Sequence, residues 1–78
     1  MTLNEFTHQQ QGRIERLETS SHGAALTRRL LAMGLVPDMV VTLIRKAPMG
    51  GPLHIRVGST TEIALRRTEA ACIRVTPI

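Results

Sequence analysis

The chain has no tryptophan, no tyrosine and one phenylalanine, Phe6. Its core must therefore come from Leu, Ile, Val, Met and Ala, and the aromatic platforms on which single-stranded nucleic acids stack are missing. Cys72 is the only cysteine, so no internal disulfide can brace the fold, which fits a reducing compartment. Asp38 is the only aspartate, and His8, His22 and His54 are dispersed; no nucleophile and base, and no carboxylate pair, share a local context. Gly50-Gly51 lacks the Lys and Ser or Thr that complete a phosphate-binding loop. Nowhere do about 18 apolar residues succeed one another, and Met1-Thr2-Leu3-Asn4-Glu5-Phe6 has neither the basic opening nor the apolar run of a leader. Together these absences predict a cytoplasmic protein that is no enzyme and does not insert into a membrane.

At 78 residues, one domain with one core is the limit, and folds of this size bury a low fraction of their surface. The net charge of +4 comes from ten Lys and Arg residues scattered through the chain. It favours an acidic protein surface over DNA, since no recognition helix is evident, and makes nucleic acid an unlikely partner. Residues 1–11 read as a polar lead, with His8-Gln9-Gln10-Gln11 needing no packed structure. Residues 12–78 read as the single domain.

Arg13 to Leu17 alternates irregularly, which predicts a short strand with a bulge. Thr19 to Gly23 looks like a turn in which Ser20 or Ser21 caps a helix. From about Gly23 to Met33, Leu26, Leu30 and Met33 fall at i, i+4 and i+7 and form one apolar stripe. Arg28 lies nearly opposite that stripe. Gly34 supplies a left-handed stop, and Pro37 turns the next corner. Met39 to Lys46 is apolar on both alternating sets, the pattern of a long coiled strand whose ends serve different faces. Ala47 to Pro52 is a loop stiffened by two prolines, so contacts it makes lose less entropy on binding. Leu53, Ile55 and Val57 alternate with His54 and Arg56, the pattern of a half-buried strand. Glu62 to Arg66 repeats the alternation, Arg67 to Ala71 forms one helical or 3₁₀ turn, and Cys72 to Val75 returns beside the first strand. The pattern is mainly β: a small five-stranded SH3-like barrel with one inserted α-helix and a short 3₁₀ or helical turn before the last strand. Its closure protects both edges, and an OB-like barrel is the alternative.

Two chemical readings remain open. His54 is an exposed strand residue or a metal ligand, and Cys72 a partly buried small apolar residue or a second ligand. No cofactor is required, but mixed donors of this kind would suit a divalent transition metal, Fe²⁺ or Zn²⁺. The stronger signal is for protein binding at the two punctuated corners. Arg28, Leu31, Met33, Leu35 and Val36 around the helix exit, with Met49 and Leu53 at the proline loop, form the candidate interface. Such an apolar patch serves a homo-oligomer as readily as a different partner.

Three segments carry a family resemblance: Arg29-Leu30-Leu31-Ala32-Met33-Gly34-Leu35-Val36-Pro37, Ala47-Pro48-Met49-Gly50-Gly51-Pro52-Leu53-His54-Ile55 and Ile63-Ala64-Leu65-Arg66-Arg67-Thr68-Glu69-Ala70. In this order and spacing the chain resembles the ferrous iron transport protein A family, small SH3-like proteins that accompany a membrane ferrous-iron transporter. The resemblance implies a cytoplasmic accessory or regulatory protein that binds the transporter's cytoplasmic GTP-binding region, associated with the inner membrane only through that partner. It also implies departures at Asp38, where the family often has Gly, and at Gly51, where it often has Asp. The runner-up function is a metal-responsive, nucleic-acid-associated regulator with a similar small barrel. If Gly34 takes positive φ, Gly34→Val is expected to cost roughly 1–3 kcal/mol in urea unfolding, whereas a Gly34 in ordinary helical geometry removes the basis for that loss.

Overall fold

Period-two burial organises the sheet: in β3 (Leu53–Val57), Leu53, Ile55 and Val57 are buried while His54 faces water. The computed structural model describes residues 1–18 and 23–78. Its other elements are a 3₁₀ turn at Leu3–Glu5, β1 (Gln11–Leu17), α1 (Ala24–Ala32), β2 (Val40–Lys46), β4 (Thr61–Leu65), α2 (Arg67–Ala70) and β5 (Ile73–Pro77). The strands form one antiparallel sheet in the order β4-β3-β2-β1-β5. With α1 inserted after the first strand and the single turn of α2 before the last, this is the SH3-like arrangement expected. The predicted irregularity of β1 is a register shift against β5 between Ile14 and Arg16. A second shift, between Leu43 and Arg45, interrupts the pairing of β2 with β3; ahead of it Val41, Thr42 and Leu43 are all buried, and the Thr42 hydroxyl accepts from the Gln11 side chain (3.2 Å).

The helix exit explains why one predicted interface residue is unavailable. Gly34 takes φ +91°, its N–H donates to the Leu31 carbonyl (3.0 Å), and the Leu35 N–H donates to the Leu30 carbonyl (3.1 Å). That pair of bonds is a Schellman stop, which brings the residue after the glycine back onto the last helical turn. Leu35 and Leu30 are accordingly both buried in the core. Four residues on, the Met39 N–H donates to the Val36 carbonyl (3.2 Å), with Pro37 second and Asp38 third at φ +72°. Pro second and positive φ third define a type II turn, where glycine would be unstrained and Asp is tolerated. The Ser20 or Ser21 cap lies outside the described residues, as does His22; α1 starts from Gly23, which has no side chain to cap it.

Two expectations are corrected. The division at residue 12 fails because the lead is packed: Leu3 and Phe6 have no exposed surface, the Val75 N–H donates to the Met1 carbonyl, and Gln9 and Gln10 exchange backbone bonds with Leu43. A polar run can hide this role because only two of its side chains enter the core, while its backbone pairs with the sheet. Phe6 finds room because β1 has a glycine beneath it; a Cβ on Gly12 would stand 2.3 Å from the Phe6 Cζ. Nor are both edges protected. Thr2 bridges Arg74 along the outer edge of β5, but among the described residues no strand pairs with the outer edge of β4.

Gly12→Ala is expected to cost about 1–3 kcal/mol by overpacking in urea unfolding, and less in a Phe6→Leu background. Equal costs in the two backgrounds would mean that the ring does not set the requirement at position 12.

Candidate protein-docking surface

The loop between β2 and β3 presents its apolar tip at a backbone cost. The Gly51 N–H donates to the Pro48 carbonyl (3.2 Å), and the two residues between them, Met49 and Gly50, have φ +59° and +76°. These are the signs of a type I′ turn, in which positive φ at a bulky residue such as Met49 is uncommon. The Met49 side chain touches nothing and is fully exposed (103%). Gly51 allows the loop base to close tightly, since a Cβ there would lie 2.7 Å from the Ala47 Cβ.

Arg67, the first residue of α2, holds this loop from below. Its Nε donates to the Gly51 carbonyl (2.9 Å) and one Nη to the Ala47 carbonyl (3.0 Å). The planar guanidinium can span two acceptors in fixed geometry. The Arg67 carbonyl in turn accepts from the Asn4 side-chain amide (2.9 Å), and Lys46 Nζ donates to the Asn4 carbonyl. The N-terminal turn, α2 and the loop are therefore one hydrogen-bonded unit.

Two grooves flank the loop and share Pro52 and Ala64 in their walls. One, of about 300 Å³, lies against Arg45, His54 and Glu62. The other, of about 790 Å³, is bounded by Gly50, Arg29, Arg66, Arg67 and Glu69. Their carboxylates are engaged. Glu69 Oε1 accepts the Arg66 backbone N–H (2.8 Å) and its other oxygen pairs with Arg29, tying α1 to α2. Glu62 pairs with Arg56 and with His54 Nε2, each at 3.0 Å. The Arg56 hydrogen bond holds the Glu62 carboxyl below the ordinary glutamate range, with the His54 ring adding to that direction.

The predicted interface residues divide by burial. Met49 is exposed; Arg28 and Leu31 (41%) are exposed on α1; Met33 and Val36 are half-buried. Leu35 and Leu53 are fully buried core residues, so they support the corners from inside and offer a partner no area. The predicted metal donors do not meet in one site. His54 lies on the outer face of β3 against Glu62, whereas Cys72 is buried after α2 with Sγ 3.5 Å from the Thr68 carbonyl. Among the described residues no three His, Cys, Asp or Glu side chains converge, and the Arg56 guanidinium on Glu62 opposes a cation there. These residues do not fit a resident metal. The candidate interface read from the sequence did not include Asn4, Arg29, Arg66, Arg67 or Glu69; the paired arginines directly after a strand were visible, but nothing local assigns Arg67 to a loop 16 residues earlier.

No helix among the described residues is long and apolar enough to cross a membrane. A family model described as the FeoA domain matches residues 1–77. The zinc-complexed FeoA of Stenotrophomonas maltophilia, described as a prokaryotic SH3 domain protein and a candidate ferrous iron transport activating factor, is similar at 34% identity and a TM-score of 0.85, over 97% of this chain and 89% of that one. The iron(II) transport protein A of Clostridium thermocellum is similar at 33% identity and a TM-score of 0.87; all of this chain is covered, and it spans 46% of that one. A manganese-dependent transcriptional repressor shares the fold alone, with 17% identity, a TM-score of 0.88, and 36% of its chain covered. No curated protein sequence matches.

Arg67→Lys removes the two-acceptor bridge while keeping the charge. Amide exchange at Ala47 and Gly51 is expected to quicken several-fold, with Ile55 in the core unchanged; unaltered exchange at the loop would show that the guanidinium does not hold it.

Proposed function

Since the chain belongs to the FeoA domain family, we propose that it is a cytoplasmic accessory and regulatory subunit of ferrous iron transport, docking on the cytoplasmic GTP-binding region of the membrane transporter. The observation that carries this reading is the family match over residues 1–77. The surface supports it physically: a fully exposed methionine on a stiffened turn offers apolar contact area whose backbone has little ordering entropy left to lose, leaving the side chain's own rotamer freedom as the cost of contact. The role needs no chemistry of the chain's own. Glu69 serves a helix end and an ion pair, and the Cys72 thiol is buried. Iron enters this reading as the transporter's cargo. The regulator alternative rests on a fold shared at 17% identity, and no residue described above favours it.

Calorimetric titration of the intact protein into the transporter's isolated GTP-binding region tests the proposal. Met49→Asp is expected to weaken binding at least tenfold without lowering the melting temperature, because the side chain is free and Asp tolerates positive φ. Absence of wild-type binding, or sequence-specific DNA binding that persists in high salt, would overturn it. Concentration-dependent mass measurement separates a second copy of the chain from the transporter as occupant of the same tip.

A further inference from the structure

We infer that the outer edge of β4 receives an extended, acidic segment of a partner protein as an added strand, its carboxylates held at the C-terminal end of β4 by Arg66, beside the Arg29–Glu69 pair. The inference rests on the accessory-subunit reading only for which protein supplies the segment.

The two ends of the sheet are treated differently. The outer edge of β5 is covered by the chain's own N-terminus, through the Thr2 to Arg74 bridge and the bond from the Val75 N–H to the Met1 carbonyl. The outer edge of β4 has no such cover among the described residues. Soluble proteins usually blunt an edge with proline, lysine or a bulge. β4 has no proline, lysine or bulge: it reads Thr61-Glu62-Ile63-Ala64-Leu65, its one charge, Glu62, is paired with Arg56 and His54 on β3, and its register against β3 runs unbroken from Thr61 to Leu65. Every second residue of such an edge turns its N–H and C=O outward, ready to pair with another chain. Five residues give about 17 Å of template.

Charge selects the occupant. Arg29, Arg66 and Arg67 line the groove at the end of β4 against one carboxylate, Glu69, whose oxygens are taken by the Arg66 N–H and by Arg29. Arg67 is spent on two carbonyls, which orient a guanidinium without neutralising it. At the other end Glu62 is shared between Arg56 and His54, beside the further cation Arg45. The groove at the C-terminal end of β4 therefore carries an excess of positive charge, whereas Arg45 and Glu62 balance in the other, and guanidinium groups favour carboxylates in paired hydrogen bonds. An incoming strand that alternates apolar and acidic residues meets both demands, backbone pairing at the edge and carboxylates at the arginines.

The test uses the intact ¹⁵N-labelled protein and three peptides: an eight-residue alternation of valine and glutamate, its valine and lysine counterpart, and octaglutamate. The alternating acidic peptide is expected to shift resonances of β4 and the Pro48 to Pro52 loop and to slow amide exchange along β4. Arg66→Glu should weaken it at least tenfold, whereas Arg16→Glu, an equal change in charge on β1, should leave affinity within twofold. Equal losses in the two variants, equal binding of the lysine peptide or octaglutamate, or shifts that miss β4 would overturn the inference. In parallel, the transporter's GTP-binding region is titrated into the same sample. If that region fails to bind while the acidic peptide docks on β4, the partner assignment falls and the edge site stands; if it binds with shifts away from β4, the reverse holds.

Discussion

The seating of Phe6 on the bare backbone of Gly12 is the contact on which the rest of this small protein depends. With one aromatic ring and 78 residues, the barrel has little apolar area to spare, and the ring fits only because β1 has no side chain at that point. Packing the ring brings the N-terminal segment against the sheet, where Met1 and Thr2 cover the outer edge of β5. It also places Asn4 where its side-chain amide meets the carbonyl of Arg67, and Arg67 grips the loop that carries Met49. A core contact at one end of the chain thus positions an exposed methionine more than 40 residues away, through hydrogen bonds that each join segments distant in sequence.

The surface is arranged so that acids organise the fold and arginines remain for encounter. Glu69 closes the start of α2 and fastens α1 to it; Glu62 braces the outer faces of β3 and β4. Exposed pairs of the Glu62 kind contribute little to stability, but they fix where the unmatched guanidinium groups lie. That distribution, more than the net charge of +4, sets where positive charge gathers, at the groove lined by Arg29, Arg66 and Arg67. An accessory protein needs such a presented surface and a rigid frame, and Glu69, Glu62 and Arg67 are engaged in holding them.

The elements legible in the sequence were those governed by near neighbours. Leu53, Ile55 and Val57 alternate, and β3 has that burial; Gly34 follows an apolar helical stripe, and it has the positive φ of a helix stop. The same local signals misplaced Leu35 and Leu53 on the surface, because punctuation marks a corner without telling which of its residues fold back inside. Leu35 is turned inward by the Schellman bonds themselves. His54 and Cys72 have donor chemistry, yet one sits outside β3 and the other inside behind α2, a separation that composition cannot express.

The amino-acid order alone indicated the five strands, α1 and the turn before β5, though not the 3₁₀ turn at Leu3–Glu5, since periodicity, glycine and proline act over a few residues. Only the tertiary structure decided that a polar-looking start packs into the core, that Arg67 serves a loop rather than solvent, and that one sheet edge is covered while, among the described residues, the other is bare. Those outcomes depend on which distant backbone groups come within hydrogen-bonding reach, and that distance is created only when the sheet is assembled.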